Sequence, residues 1–272
     1  MKTTNPVLSR LGQAAERERA AGYLPTGPHG APGYGEAYPT QTGYATAPPA
    51  VAPMTVDDVV VKTVTLLGIT GASAAAAWVL VPDALMGAAW IGAALVGLVL
   101  GLVISFSRMA NPALVVTYAV VEGVFVGMVS KYFEKVAGYE GIVLQAVVAT
   151  FGVFFLMAML YKVRAIRATP RFTRGLIAAI AGVFAVMLIN LVLSLFGVDT
   201  GLRSGGGIAI IFSLVCIVLA SLSFILSFHE VEEGVRLGLP QQYAWIAAFG
   251  ILVSLIWLYI EVLRLLSYFS ED

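Results

Sequence analysis

Seven long apolar runs constrain this chain more than any other feature of its sequence. An α-helix needs about 20 apolar residues to cross a hydrocarbon core of about 30 Å, and each run is long enough. The runs are continuous rather than alternating, which excludes a transmembrane β-barrel. We therefore predict an all-α integral membrane protein with seven transmembrane helices, at Val59–Val81, Leu85–Ser107, Ala113–Phe133, Gly141–Lys162, Gly175–Gly197, Gly207–Phe228 and Ala244–Leu266.

The composition supports the lipid bilayer as the main partner of the chain. Hydrophobic residues make up 59% of it and charged residues only 12%, which is too little polar surface for a soluble domain. Basic and acidic residues balance at 16 each, so net charge gives no reason to expect nucleic acid binding. A single cysteine, Cys216, cannot form an internal disulfide, and the Cys/His spacing of a metal site is absent from the sequence. No enzyme or nucleotide-binding motif is present, so we expect no catalytic residues, no cofactor and no resident metal.

The first 54 residues differ in kind from the rest of the chain. They are rich in Gly, Pro, Ala and Tyr, as in Gly33-Tyr34-Gly35, and have too few clustered aliphatic residues to form a core. The predicted organisation is a disordered cytoplasmic tail over residues 1–54, a seven-helix transmembrane domain over 55–268 and a short C-terminal tail over 269–272.

The distribution of Lys and Arg predicts the orientation in the membrane. The segment Lys162–Arg174 between the fourth and fifth helices is strongly basic, and basic loops face the cytoplasm. This places the N-terminus in the cytoplasm, and an odd number of helices then places the C-terminus outside. The oligomeric state does not follow from the sequence.

Ionisable side chains within spanning helices are costly and suggest a function. One lies in the last helix, one in the middle of the third, and a cluster near the end of the sixth, while a basic residue follows the second helix. We take these as candidate proton-sensing and ion-path residues: Glu261, Glu122, His229, Glu230, Glu232 and Arg108.

Each candidate also has a structural interpretation. Glu261 has two: it pairs with Arg264 one turn on, near the interface where both reach water, or it is covered by a helix that packs on the small face formed with Gly250 and Ser254. Only the second makes Glu261 a buried, proton-sensitive element. Glu122 either makes a structural hydrogen bond or contributes to transport. The cluster around His229 is also compatible with a solvated loop at the membrane surface.

The C-terminal helix carries a recognisable motif. Its segment Trp257–Leu266, which contains Tyr259-Ile260-Glu261, resembles the Leu-Tyr-Leu-Asp signature of the Bax inhibitor-1 family. Further resemblance runs through Asn111–Leu114, Tyr118–Gly123 and Gly141–Phe155. The match extends over about residues 55–268 and is most similar to bacterial, particularly actinobacterial, members.

The resemblance implies a fold in which six helices surround the central C-terminal helix, and a pH-sensitive calcium leak across the bacterial plasma membrane. It also implies a proton-sharing pair of carboxylates on the sixth and seventh helices. Glu261 matches the acid of the seventh helix. The acid of the sixth should fall near Ser227 or His229, and neither is acidic. A His229–Glu261 pair would still respond to protons, because histidine titrates near neutral pH.

Three functions follow as hypotheses. The first is an ion-permeable protein in which calcium is the permeant ion. The second is an interaction protein that modulates a membrane protease such as FtsH or a stress response, with the tail as the contact. The third is a secondary transporter, which the lack of internal repeats and of broken helices disfavours.

Overall fold

The computed structural model describes residues 52–107, 111–198, 200–202 and 206–270. These residues form seven helices long and apolar enough to cross a membrane, which confirms the predicted all-α class. In these described ranges the only β pairing is one isolated bridge. The helices are α1 Val56–Leu80, α2 Met86–Phe106, α3 Pro112–Lys131, α4 Ile142–Lys162, α5 Pro170–Leu195, α6 Gly207–Arg236 and α7 Ala244–Ser270.

Side-chain caps set the starts of several helices. Thr55 and Asp58 form a reciprocal capping box at the start of α1, in which each side chain accepts a hydrogen bond from the other residue's backbone N–H. At the start of α3 the Asn111 side chain accepts a hydrogen bond from the Ala113 N–H at 3.0 Å. Pro112 is the first helical residue there, a position where no backbone donor is needed.

Three helices, α5, α6 and α7, extend by a turn or more beyond their predicted apolar runs. α5 begins at Pro170 with Thr169 as its cap, five residues before the predicted start. α6 continues two turns past Phe228 to Arg236, because its polar last turns are helical too. The chain then leaves the helix at Gly238, where φ is +63°. Hydropathy reports where lipid begins, whereas helix ends are set by caps. α7 likewise continues to Ser270, into the segment predicted as a C-terminal tail.

α7 is the most buried of the helices. In its most apolar stretch 61% of the residues are buried, and it packs against α1, α3, α4 and α6. α2 instead packs chiefly against α3, and α5 packs chiefly against α6. The predicted arrangement of six helices around the C-terminal one is therefore not confirmed, since four helices supply most of the cover.

α1 and α3 make the closest helix contact. A Cβ added to Gly123 would lie 2.5 Å from the Thr70 carbonyl oxygen, and one added to Gly127 would lie 2.5 Å from the Ala74 carbonyl oxygen. The Thr70 hydroxyl also donates across the interface to the Ala119 carbonyl at 3.1 Å. Small residues and interhelical hydrogen bonds are what hold helices together in lipid.

The three described residues before the α1 cap belong to the folded body. The Met54 N–H donates to the Leu239 carbonyl at 2.7 Å, and the Gln241 N–H donates to the Ala52 carbonyl at 2.9 Å. The Met54 side chain is buried and contacts Gly234. We call this end of the bundle the Met54 end. The predicted tail extended to Met54; its last three residues pack on the α6–α7 turn instead, and residues 1–51 lie outside the described part of the chain.

Candidate functional site

The most deeply buried carboxylate belongs to Glu261 on α7. Glu261 is 1% exposed, and Arg264 Nη1 donates to both of its carboxylate oxygens at 2.9 Å. The Arg264 side chain is itself only 15% exposed. The pairing predicted by the first interpretation is therefore present, but the pair lies inside the bundle, as the second interpretation required, and not in water.

A seam of small residues joins α6 and α7 nearer the Met54 end. A Cβ on Gly250 would meet Ser227 Oγ at 3.9 Å, and Ser223 Oγ lies 3.0 Å from Ser254 Oγ. The small face predicted for α7 therefore does receive a neighbouring helix, which is α6. The contact brings polar hydroxyl groups together within an otherwise apolar interface.

A second hydroxyl pair joins α7 to α3. The Tyr259 phenol and the Ser130 hydroxyl lie 2.7 Å apart and are both buried. They border a cavity of about 520 Å³ between α1, α3, α4 and α7. Thr150 of α4 also lines this cavity, and its buried hydroxyl has no hydrogen-bond partner within the described residues. Together with Glu261 and Arg264, these groups are polar side chains within the otherwise apolar interior formed by α7 and its neighbours.

Glu122 lies away from Glu261. Its carboxyl group contacts Gly97 of α2, where an added Cβ would meet Glu122 Oε1 at 2.7 Å. The Tyr118 phenol, one turn earlier on α3, lies beside the same carboxyl. The structure thus places Glu122 at the α2–α3 interface and does not bring it together with Glu261.

The polar end of α6 forms its own cluster at the Met54 end. His229 Nε2 lies 3.7 Å from Glu233 Oε2, and Arg236 Nη2 donates to Glu233 Oε1 at 2.8 Å. The Tyr161 hydroxyl of α4 donates to Glu232. Glu230 is exposed. These residues are helical, so the alternative of a solvated loop is wrong for them.

The hypothetical His229–Glu261 pair does not form. Ser227 of α6 lies opposite Gly250 of α7, and Glu261 is eleven residues further along α7. At a rise of about 1.5 Å per residue this separation is about 16 Å. Of the other candidates, Arg108 lies outside the described residues.

The sequence reasoning missed a second ion pair, with one buried partner, at the end opposite Met54. Lys131 of α3 lies 2.6 Å from Asp83 and donates to the Val81 carbonyl at 2.8 Å. Lys131 is almost fully buried, whereas the Asp83 side chain is 79% exposed. The carbonyl belongs to the C-terminal end of α1, where a cation is favourable. The position of Asp83 between two helices and of Lys131 at the end of a third was the available signal.

No metal site is evident among the described residues. No three His, Cys, Asp or Glu side chains in the ranges given above are grouped so that they could hold an ion. The buried polar side chains in these ranges are mostly hydroxyls, together with Glu261 and Lys131.

The seven helices of the described residues that are long and apolar enough to cross a membrane define this chain as a multi-pass helical membrane protein. The chain belongs to the Bax inhibitor 1 like family, whose model matches residues 5–271, nearly the whole length. The resemblance predicted from the motif around Glu261 is thereby confirmed. No curated protein matches the chain.

Proposed function

We propose that this protein is a proton-sensitive ion leak, permeable to calcium, in which the Glu261–Arg264 pair keeps the bundle closed. The observation that carries the proposal is the burial of Glu261, 1% exposed, on the most buried helix. Ionisable residues inside a membrane bundle are expensive and are typical of ion pathways and proton-dependent elements.

The pair gives a direction to the pH dependence. When both groups are charged, Arg264 neutralises a carboxylate that would otherwise be costly to bury. Protonation of Glu261 removes that negative charge and leaves the Arg264 guanidinium without this counter-charge in a nearly dry site. Because an uncompensated buried charge destabilises the packing around it, acid favours an open arrangement. The leak should therefore increase as the pH falls.

This mechanism departs from the carboxylate pair that the family resemblance implied. Glu261 has an arginine partner on its own helix at 2.9 Å, and the sixth helix contributes the hydroxyls of Ser223 and Ser227 to the seam. In a pair of acids, protonation relieves repulsion; in the present pair it removes an attraction. Both arrangements respond to protons. A variant that mimics the protonated state relieves a repulsion in the pair of acids, whereas in the present pair it removes an attraction.

Calcium is proposed as the permeant ion from the family resemblance. Ca²⁺ takes oxygen ligands, carboxylates foremost, and Glu261 places a carboxylate in the interior, where the hydroxyl oxygens of Ser130 and Tyr259 are also buried. Location in a bacterial plasma membrane, with a cytoplasmic N-terminus and an external C-terminus, is part of the same proposal. The interaction with a membrane protease stays a prediction, since the tail on which it depends lies outside the described residues.

Calcium efflux from liposomes that contain the purified protein tests the proposal across pH 5.5 to 8.5. The informative variant is Glu261→Gln, which has the shape of a protonated glutamate and cannot ionise. We expect the wild type to leak faster at low pH, and Glu261→Gln to leak at the acid rate throughout. Glu140→Gln is the matched control, because Glu140 is exposed between α3 and α4.

Three outcomes would contradict the proposal in different ways. Efflux no faster than from empty liposomes at every pH would exclude the leak itself. A normal pH response in Glu261→Gln would keep the leak but remove Glu261 as its proton-sensitive element. An equal change in Glu140→Gln would show that any loss of carboxylate alters the flux.

A further inference from the structure

A second, larger cavity lies at the Met54 end of the bundle. Its volume is about 800 Å³. It is enclosed by the end of α4, the connection from α4 to α5, the first residue of α5 and the last turns of α6. His229 and Glu232, which the sequence suggested as ion-path candidates, line this cavity. The groups on which the proposed leak rests, Glu261 and Arg264 foremost, do not, so the role of the cavity is independent of the proposed function.

The rim of this cavity is basic. Lys162, Arg164 and Arg167 all line it, and within the described residues no carboxylate lies at ion-pair distance from any of the three. The one carboxylate in the lining, Glu232, accepts a hydrogen bond from Tyr161. Among the residues that the structure describes, the rim therefore carries an excess of positive charge without carboxylate partners.

The start of α5 adds to this positive field. Thr169 and Pro170 line the cavity, and the first turn of α5 contains no acidic residue. The N-terminal end of a helix carries a partial positive charge and favours anions. The start of a helix and three cations thus line the same cavity, and none of these cations has a carboxylate partner in the described part of the chain.

Arg164 occupies a backbone position that its side chain does not favour. Its φ is +58°, which makes it the one non-glycine residue with positive φ in the described ranges. It follows the end of α4, where the Ala165 N–H donates to the Leu160 carbonyl at 3.0 Å. Helices that end with a residue of positive φ usually have glycine at that position, because glycine has no Cβ to clash with the backbone. A non-glycine residue in this conformation is energetically costly, and such residues cluster at functional sites.

The floor of the cavity is apolar. Its lining includes Phe228, Val231 and Val235 from α6, with Ala158 of α4 and Val56 of α1. A free phosphate would contact only the basic rim and leave this surface uncovered. A phospholipid matches both parts, because its phosphate fits the rim and its acyl chain covers the floor. Basic pockets between transmembrane helices bind anionic headgroups in this way.

We propose that the cavity at the Met54 end binds an anionic phospholipid, whose phosphate is held by Lys162, Arg164 and Arg167. The lipid would bridge the end of α4 and the start of α5 to α6. Because α5 packs chiefly against α6, occupancy of this site should also stabilise the bundle against unfolding.

Thermal unfolding of the full-length protein in detergent tests the site. The added probes are phosphatidylglycerol, phosphatidylcholine with the same acyl chains, inorganic phosphate and soluble glycerol phosphate. The variant replaces all three rim cations together, as Lys162→Gln, Arg164→Gln and Arg167→Gln. The control replaces two basic residues of α5 that are exposed and lie outside the cavity lining, as Arg171→Gln and Arg174→Gln.

We expect phosphatidylglycerol to raise the unfolding temperature of the wild type more than phosphatidylcholine does. The triple variant should need about tenfold more phosphatidylglycerol for the same shift, while the α5 control should behave as the wild type. Circular dichroism of the triple variant without lipid checks that it folds. If it does not, Arg167→Gln alone replaces it, with a smaller loss of the same sign.

Three results would overturn the proposal. Equal effects of the two lipids would remove the anionic selectivity. An equal loss in the α5 control would show general attraction to basic loops and not a site. A full shift with inorganic phosphate or glycerol phosphate would indicate a soluble anion as the ligand.

Discussion

α5 and α7 are both long and strongly apolar, but they occupy opposite environments. In the most apolar stretch of α7 61% of the residues are buried, against 6% in that of α5. α7 packs against four helices, whereas α5 packs chiefly against α6. α5 is the more hydropathic of the two, so apolarity did not decide which helix is inside.

Lipid explains this difference. The tails of a bilayer are as apolar as leucine, so burial in the bundle is driven by packing and polar contacts and not by escape from water. α7 carries small and polar residues that require protein neighbours, among them Ser254 and Glu261, both buried. α5 presents large aliphatic side chains such as Leu188 and Leu191 outward, where lipid solvates them well.

Loss of Arg264 should have the largest effect. Arg264→Gln leaves Glu261 buried without this partner, and breaking a buried pair in this way costs about 3–5 kcal/mol. The matched change in α5, Arg174→Gln, removes an exposed cation and should cost less than about 0.5 kcal/mol. Unfolding by SDS in mixed micelles, followed by circular dichroism, measures both. Similar free energies for the two variants would mean that the pair contributes no more than a surface charge.

The second-largest difference between α7 and α5 should come from truncating one leucine in each helix. Leu258 of α7 is 0% exposed, whereas Leu191 of α5 is 56% exposed. Leu258→Ala opens a cavity in the bundle and should lower the free energy of unfolding by about 2–4 kcal/mol. Leu191→Ala should cost less than about 1 kcal/mol, because lipid tails fill the space. The same SDS titration distinguishes them, and equal losses would show that α5 is packed as tightly as α7.

The smallest effect should come from threonine on α4, which lies between these extremes. Thr150→Val replaces a buried hydroxyl that has no partner in the described ranges, and should stabilise the protein by about 1 kcal/mol. Thr70→Val is the control, because its hydroxyl donates to Ala119 of α3 and its loss should destabilise by a similar amount. A stabilisation by both changes, or by neither, would contradict the assignment of these contacts.

Much of the fold could be predicted because the hydrocarbon thickness fixes the length of each apolar run. The number of helices followed from this rule alone, and the capping box at Thr55 and the Asn111-Pro112 start were visible as local signals. The polar turns at the end of α6 were not, since Glu232, Glu233 and Arg236 end an apolar run without ending a helix. Hydropathy also could not predict that α7 is more buried than α5.

The candidate site was predictable residue by residue but not as an arrangement. Glu261 stood out because a carboxylate in a spanning helix is rare, and its i,i+3 partner Arg264 lay in the same segment. The separation of Glu261 from Glu122 and His229 depends on which helices are neighbours, which no local pattern reports. The Lys131–Asp83 pair joins residues 48 apart along the chain (131 − 83). Predicting it also requires knowing which helices are neighbours.

The bridge between Ala52–Met54 and the α6–α7 turn has a consequence for the order of folding. It pairs Pro53 with Pro240, so it closes a loop of 187 residues (240 − 53) that contains six of the seven helices. Such a closure carries a large entropic cost until the intervening chain is ordered. During synthesis Pro53 emerges from the ribosome long before Pro240 has been made. We therefore expect this contact to form late in folding, when it fixes the segment before α1 to the turn before α7 at the Met54 end.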